Sequence, residues 1–146
     1  MIKSAAATRS LVIEREMPHR PEKVWRALTQ PDLIEEWLMK NDFQPVAGHR
    51  FSLRADWGAV ECQVLEVEPN KTLSYTWNAT QVDAVNDLKS VVTWTLTPTS
   101  TGTHLRMEQS GFRSDQPRYY GGAKAGWPQL FANLEDRKST RLNSSH

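Results

Sequence analysis

Two hydrophobic periods alternate along this chain. Leu11, Ile13, Arg15 and Met17 fall on one side of an extended segment that stops at Pro18, which predicts a first β-strand. From Pro21 the spacing changes to three and four. Val24, Trp25 and Leu28 share one face, and Leu33, Ile34, Trp37 and Leu38 share another. Pro21 and Pro31 each stand at a first helical turn, where a missing N–H costs nothing. Two short helices are therefore predicted.

Past Asn41 the period becomes two. Phe43 to Pro45 reads as a brief strand. Phe51, Leu53, Ala55 and Trp57 then alternate with polar residues up to Gly58. Val60, Cys62 and Val64 follow in the same phase, and the adjacent Val64 and Leu65 suggest a bulge that moves the inward set to Leu65 and Val67. Pro69-Asn70 turns the chain, and Leu73, Tyr75 and Trp77 form the next inward row. After a polar loop from Ala79 to Leu88, Val92, Trp94 and Leu96 point inward. Ser100-Thr101-Gly102 closes a hairpin onto Leu105, Met107 and Gln109. From Arg118 a helix is expected, weakened by Gly121, Gly122 and Gly126 and kinked or restarted at Pro128. Its stripe Trp127, Leu130, Phe131 and Leu134 should lie across the open face of the sheet. These elements predict an α+β fold: a curved antiparallel sheet of about six or seven strands, two short helices after the first strand, and a terminal helix across it.

Several short motifs stand in a fixed order: Pro21-Glu22-Lys23-Val24-Trp25-Arg26-Ala27-Leu28-Thr29, Pro31-Asp32-Leu33 with Trp37, Gly48-His49-Arg50-Phe51, Val64-Leu65-Glu66-Val67-Glu68-Pro69, Leu73-Ser74-Tyr75-Thr76-Trp77, Val92-Thr93-Trp94-Thr95-Leu96, and Gly102-Thr103-His104-Leu105 with Ser110-Gly111-Phe112 and Gly126-Trp127. In this order the chain resembles the START-like or SRPBCC superfamily, and within it the bacterial family named after the C-terminal domain of the activator of the 90-kDa heat-shock-protein ATPase. The resemblance implies the helix-grip fold, with an internal cavity for a hydrophobic or amphipathic small molecule. Its name implies a co-chaperone-like partner as an alternative, and the wider superfamily implies a cyclase or dehydratase as a third. Many relatives carry a His just before the Ser-Gly-Phe step, where this chain has Gln109, so an acid–base role lent by that histidine does not transfer.

Length and composition narrow the picture. At 146 residues the chain is of single-domain size. One cysteine, Cys62, allows no intrachain disulfide. The first residues lack the apolar run of a signal peptide, and no stretch is long and apolar enough to span a membrane, so a cytoplasmic protein is expected. The final eleven residues, Asp136 to His146, back-translate in frame to a widely used sequencing-library adapter. They are expected to be foreign, leaving residues 9–135 as the domain and the native terminal helix cut short. Without this tail there are 15 basic against 16 acidic residues, a net charge of −1, which gives no basic surface for nucleic acid or an anionic membrane.

Six Trp, four Phe and three Tyr must fill a core or line a cleft. On the inward rows, Trp37, Phe51, Tyr75, Trp77, Trp94, Met107, Trp127 and Phe131 are the candidate ligand-binding surface, with Gln109 as a neutral hydrogen-bonding group and Arg15 as an anchor for a carboxylate or phosphate. Trp57 borders a turn and is the weakest of the rings. Catalytic chemistry finds little to work with. Cys62 points inward and His104 outward, and Asp56 is the one natural base near an inward face. His19, His49 and His104 lack metal-ligand spacing, and no phosphate-cradling glycine loop is present. The reading is therefore a binding module for a small apolar or amphipathic ligand, with no catalytic residue, metal or cofactor assigned. A chaperone or a second copy remains open as a protein partner.

Overall fold

In the computed structural model, residues 8–56, 58–79 and 88–144 are described, with side chains through Glu135. Strand β1 (Thr8–Met17) is followed by helices α1 (Pro21–Thr29) and α2 (Pro31–Trp37). Strands β2 (Lys40–Asn41), β3 (Arg50–Ala55), β4 (Gly58–Glu68), β5 (Thr72–Ala79), β6 (Leu88–Pro98) and β7 (Thr103–Arg113) come next. Helix α3 (Pro117–Ser144) closes the chain. The strands form one seven-stranded sheet in the order β1-β7-β6-β5-β4-β3-β2, every pairing antiparallel. α3 packs against α1, α2, β1 and β7 and so lies across the sheet, giving the helix-grip-like α+β arrangement.

The two prolines set the helix pair as the sequence predicts: each occupies the first turn of its helix, and Gln30 serves as the junction between them. Their apolar faces turn inward, with Val24, Trp25, Leu28, Ile34 and Trp37 buried. The Trp37 Nε1–H donates to the Ala27 carbonyl at 2.8 Å, which ties α2 back onto α1 and fixes the indole under the sheet.

Three local predictions are corrected. The brief strand is Lys40–Asn41, paired with Arg54 and Leu53, and not Phe43 to Pro45. Phe43 is instead a buried side chain of the loop that follows. The bulge in β4 is present, with the register shifting between Val64 and Glu66, but Leu65 is its extra residue and is 47 % exposed. The inward phase resumes at Val67, opposite Leu73. Of the kink or restart expected at Pro128, the restart does not occur: α3 is continuous from Pro117 and helical in its backbone through Ser144, so residues 136–144 of the tail extend the helix.

A second bulge lies where β7 meets β1. Arg9 pairs with Phe112 and Ser10 with Ser110, so Gly111 is skipped. Its φ is +107°, in the left-handed region where a side chain is strained.

The outer face of the sheet carries a clasp on the same strand pair. His104 on β7 donates through Nε2 to Glu14 Oε1 at 2.7 Å and through Nδ1 to Glu16 Oε2, both on β1. An imidazole can donate from both nitrogens only as the cation. The hydrogen bonds to Glu16 and then Glu14 accordingly raise the His104 pKa above 6.5. Arg106 and Glu108, two and four residues along β7, pair with each other, and the facing β6 residue in register with His104 is the uncharged Thr97. A raised folded-state pKa gives stability that is complete below the unfolded value and is lost as pH rises through the folded one. The urea midpoint of the protein should therefore exceed that of His104→Gln at about pH 6 by more than at about pH 9, with the His104 proton signal titrating above the ordinary 6.5. A difference that does not change with pH would remove the cationic clasp.

Candidate functional site

Register builds the site before any side chain is considered. Tyr75 on β5, Val92 on β6 and Gln109 on β7 are cross-strand partners in one row. Leu73, Trp94 and Met107 form the adjacent row, and Trp77 pairs with Ser90 on the other side. With neighbouring strands about 4.8 Å apart, Tyr75 and Gln109 flank the smaller Val92 from positions about 10 Å apart. The middle of the row is low and its two ends are tall and polar-tipped.

From above, α3 lowers Trp127 onto this row. Its ring centroid lies 5.4 Å from that of Trp77 and 5.8 Å from that of Trp94, and its Nε1–H donates to Gln109 Oε1 at 2.7 Å. Contacts to β5, β6 and β7 together put the indole over β6 between Ser90 and Trp94. Phe131, one turn further along α3, packs 5.7 Å from Trp94 on a tilted plane, and Trp37 meets Trp94 edge-on at 5.7 Å. A second ring group, Phe43, Phe51 and Tyr75, adjoins the first, with centroids 5.0 to 6.3 Å apart. The two groups are joined by a hydrogen bond from Trp94 Nε1–H to the Tyr75 hydroxyl at 3.0 Å.

Nine of the ten expected site residues, Trp37, Phe51, Tyr75, Trp77, Trp94, Met107, Gln109, Trp127 and Phe131, are thus buried together on the inner face. Around the interior expected to hold a ligand, the described rings touch one another at the separations of edge-to-face and tilted aromatic pairs, with Trp127 packed among them. Arg15 is the exception. It lies on the inner side of β1, as alternation requires, but its side chain is 42 % exposed, 3.9 Å from the Glu135 carboxylate, and its guanidinium stands 5.6 Å from the Phe131 ring. β1 is the outermost strand, so its inner face opens sideways to water, and the arginine there serves α3 and not the interior. Trp57 lies outside the described residues.

The polar chemistry of the interior is neutral. Burial pushes the Tyr75 phenol well above its ordinary value, against the opposing Trp94 N–H, and burial likewise raises the Cys62 thiol. Asp56 is exposed, which takes the one candidate carboxylate base out of the interior. His104 is occupied on the outer face. No group of three or more His, Cys, Asp or Glu among the described residues is placed to hold a metal.

Two contributors were not anticipated from sequence. Ser90 donates its hydroxyl to the Trp77 carbonyl at 2.7 Å and accepts from Gln109 Nε2 at 3.0 Å, which fixes the direction of the Gln109 amide. Its signal was its phase: Ser90 is two residues before Val92, a polar residue in an inward row. Phe43 packs beneath Phe51 and Tyr75 from a loop, where no period exists to mark it. An open cleft of about 760 Å³ lies elsewhere, between the β1–α1 link, the β4–β5 turn and the β6–β7 turn, with Pro18, Arg20, Pro69, Lys71, Pro98 and Gly102 on its walls.

Comparison with known proteins places this geometry. Among solved structures, protein MLL2253 from Mesorhizobium loti is 65% identical, with a TM-score of 0.86 over 94% of this chain and 99% of that one. Protein BH1534 from Bacillus halodurans is 26% identical (TM-score 0.73, 88% and 96% covered), and NE0264 from Nitrosomonas europaea is 22% identical (TM-score 0.76, 90% and 95% covered). The last of these shows the fold alone. No curated protein sequence matches the chain. The family described as "Activator of Hsp90 ATPase homolog 1-like protein" matches residues 18–137. A grip of sheet and helix around clustered rings, the ordered motifs from Pro21 to Trp127 and this match agree: the chain belongs to the family of activator of Hsp90 ATPase homolog 1-like proteins.

Proposed function

We propose that this chain is a small-molecule-binding module that holds a flat, largely apolar ligand between the inner face of the sheet and α3, with α3 acting as a movable cover. The reading is supported by an aromatic surface bearing few polar groups, the usual make-up of a ligand site, and by membership of the family.

The observation that carries it is the setting of Trp127. The ring packed on the aromatic surface is flanked by Gly126 and Pro128 and stands five and six residues after Gly122 and Gly121. Each interior glycine weakens a helix by about 1 kcal/mol relative to alanine, and a proline by about 3 kcal/mol while removing one backbone hydrogen bond. Glu135, which reaches Arg15 from the same helix, adds only a half-exposed ion pair. The segment that closes the site is therefore the helical segment with the weakest local reason to stay.

A melting screen against flat aromatic compounds tests this. A ligand at about 100 times its dissociation constant stabilises by about 2.7 kcal/mol, which in a chain of this size raises the midpoint by roughly 5–10 °C. Tryptophan emission should change with it, because Trp77, Trp94 and Trp127 meet at the site. A broad panel that moves neither signal would end the proposal.

A further inference from the structure

We infer that the niche filled by Trp127 is itself a binding site for a planar aromatic N–H donor of the indole class, and that Trp127 is its built-in occupant. The inference rests on the reading of α3 as a cover and names the ligand chemistry beneath it.

Polarity selects the occupant first. Ser90 has a single hydroxyl proton, and it is spent on the Trp77 carbonyl at 2.7 Å. Towards Gln109 the Ser90 oxygen can therefore only accept, so the amide must turn its NH₂ to Ser90, at 3.0 Å, and its carbonyl oxygen to the niche. Gln109 is 1 % exposed, so that oxygen has no water to fall back on. An occupant without a donor leaves it unpaired, and an occupant presenting a carbonyl sets two acceptors face to face.

Shape gives the second half. The side walls are the indoles of Trp77 and Trp94, inclined to the occupant by 51° and 75°, and the floor between them is Val92, in register with both Tyr75 and Gln109. Two inclined indoles with one fixed acceptor between them favour an aromatic bicycle with an N–H on its edge, and Trp127 meets that description with its own side chain. Because this occupant is tethered, a free ligand competes with an intramolecular one, and its apparent affinity falls by the fraction of molecules whose cover is open.

Removing the plug exposes the niche. Trp127→Ala of the full chain, titrated calorimetrically, should bind indole at least about tenfold more tightly than benzofuran, which has the same outline and no N–H. The wild-type chain should bind indole at least about tenfold more weakly than the variant does. Adding Gln109→Leu to Trp127→Ala should abolish the preference for indole over benzofuran. Should Trp127→Ala lack a cooperative melt, the same compounds are compared for restoring one, with indole expected to succeed and benzofuran to lag. Equal binding or equal rescue by the two compounds, or none by either, overturns the inference. Discrimination in the variant combined with a wild-type chain that binds no aromatic compound instead removes the movable cover and leaves the niche's chemistry standing.

Discussion

Trp94→Ala should destabilise the protein by about 3–5 kcal/mol, the cost of truncating a fully buried large ring. Trp94 is 0 % exposed and is the hub of both ring groups: Trp37, Trp127 and Phe131 pack on it, and its N–H reaches the Tyr75 hydroxyl. Removing it empties space beneath two helices at once and leaves a buried phenol without its partner. With total stabilities of small domains near 5–15 kcal/mol, the variant sits close to unfolding at ambient temperature. Trp94→Phe separates the contributions, since it keeps ring contacts and loses only the N–H and part of the volume. It should cost clearly less than the alanine variant. Urea denaturation with an unchanged slope and a lowered midpoint is the expected reading, and a Trp94→Ala midpoint within experimental error of wild type would show that these rings do not hold the molecule together.

Gly111→Ala should be nearly as damaging although it adds a single methyl group. The backbone there has φ +107°, and a Cβ would stand 2.7 Å from the Lys89 carbonyl oxygen and 3.2 Å from the Ser90 Cα. Both obstacles are backbone atoms of the neighbouring strand, so relief requires β6 and β7 to separate beside Ser90, the residue that orients Gln109. Strained φ and overpacking each cost of the order of 1–3 kcal/mol, and here they act together. The prediction is a loss of about 2–5 kcal/mol in denaturant unfolding, accompanied by a change in tryptophan emission as the Gln109 to Trp127 hydrogen bond is disturbed. A Gly111→Ala protein as stable as the parent would mean that the bulge tolerates ordinary residues.

Much of this architecture was legible because local rules and tertiary outcome agree. Pro21 and Pro31 mark helix starts, and the apolar spacing after each gives the buried face. On β5, β6 and β7, simple alternation places Leu73, Tyr75, Trp77, Val92, Trp94, Leu96, Leu105, Met107 and Gln109 on the inner face correctly, but it misses Leu88 and Ser90 at the start of β6, where the sequence reads as loop. The misses have specific causes. Leu65 lies where two residues oppose one, so the alternation slips once, and sequence alone does not say which of the adjacent pair takes the outer place. A strand of two residues, Lys40–Asn41, is too short to show any period. Alternation puts Arg15 on the correct face but says nothing of its depth, which depends on the pairing of β1 with β7, about ninety residues away in the chain. The candidate site shows the same division. Alternation finds the rings and Gln109, but whether they surround empty space or one another depends on where a helix from the far end of the chain sets Trp127. No window of sequence contains that information.

The position of β1 has a further consequence for how the molecule behaves in company. Its outer side presents a ladder of backbone donors and acceptors that another extended segment could join, the usual beginning of fibril growth. Glu14, Arg15 and Glu16 stand consecutively there and alternate between the two faces, so an incoming strand would have to bury a charge on either side. At the opposite border the last strand is two residues long and offers almost no template. Among the described residues both borders thus carry features that disfavour edge-to-edge pairing, and the three charged residues that do so on β1 are the same ones that tie this strand to His104 and Glu135.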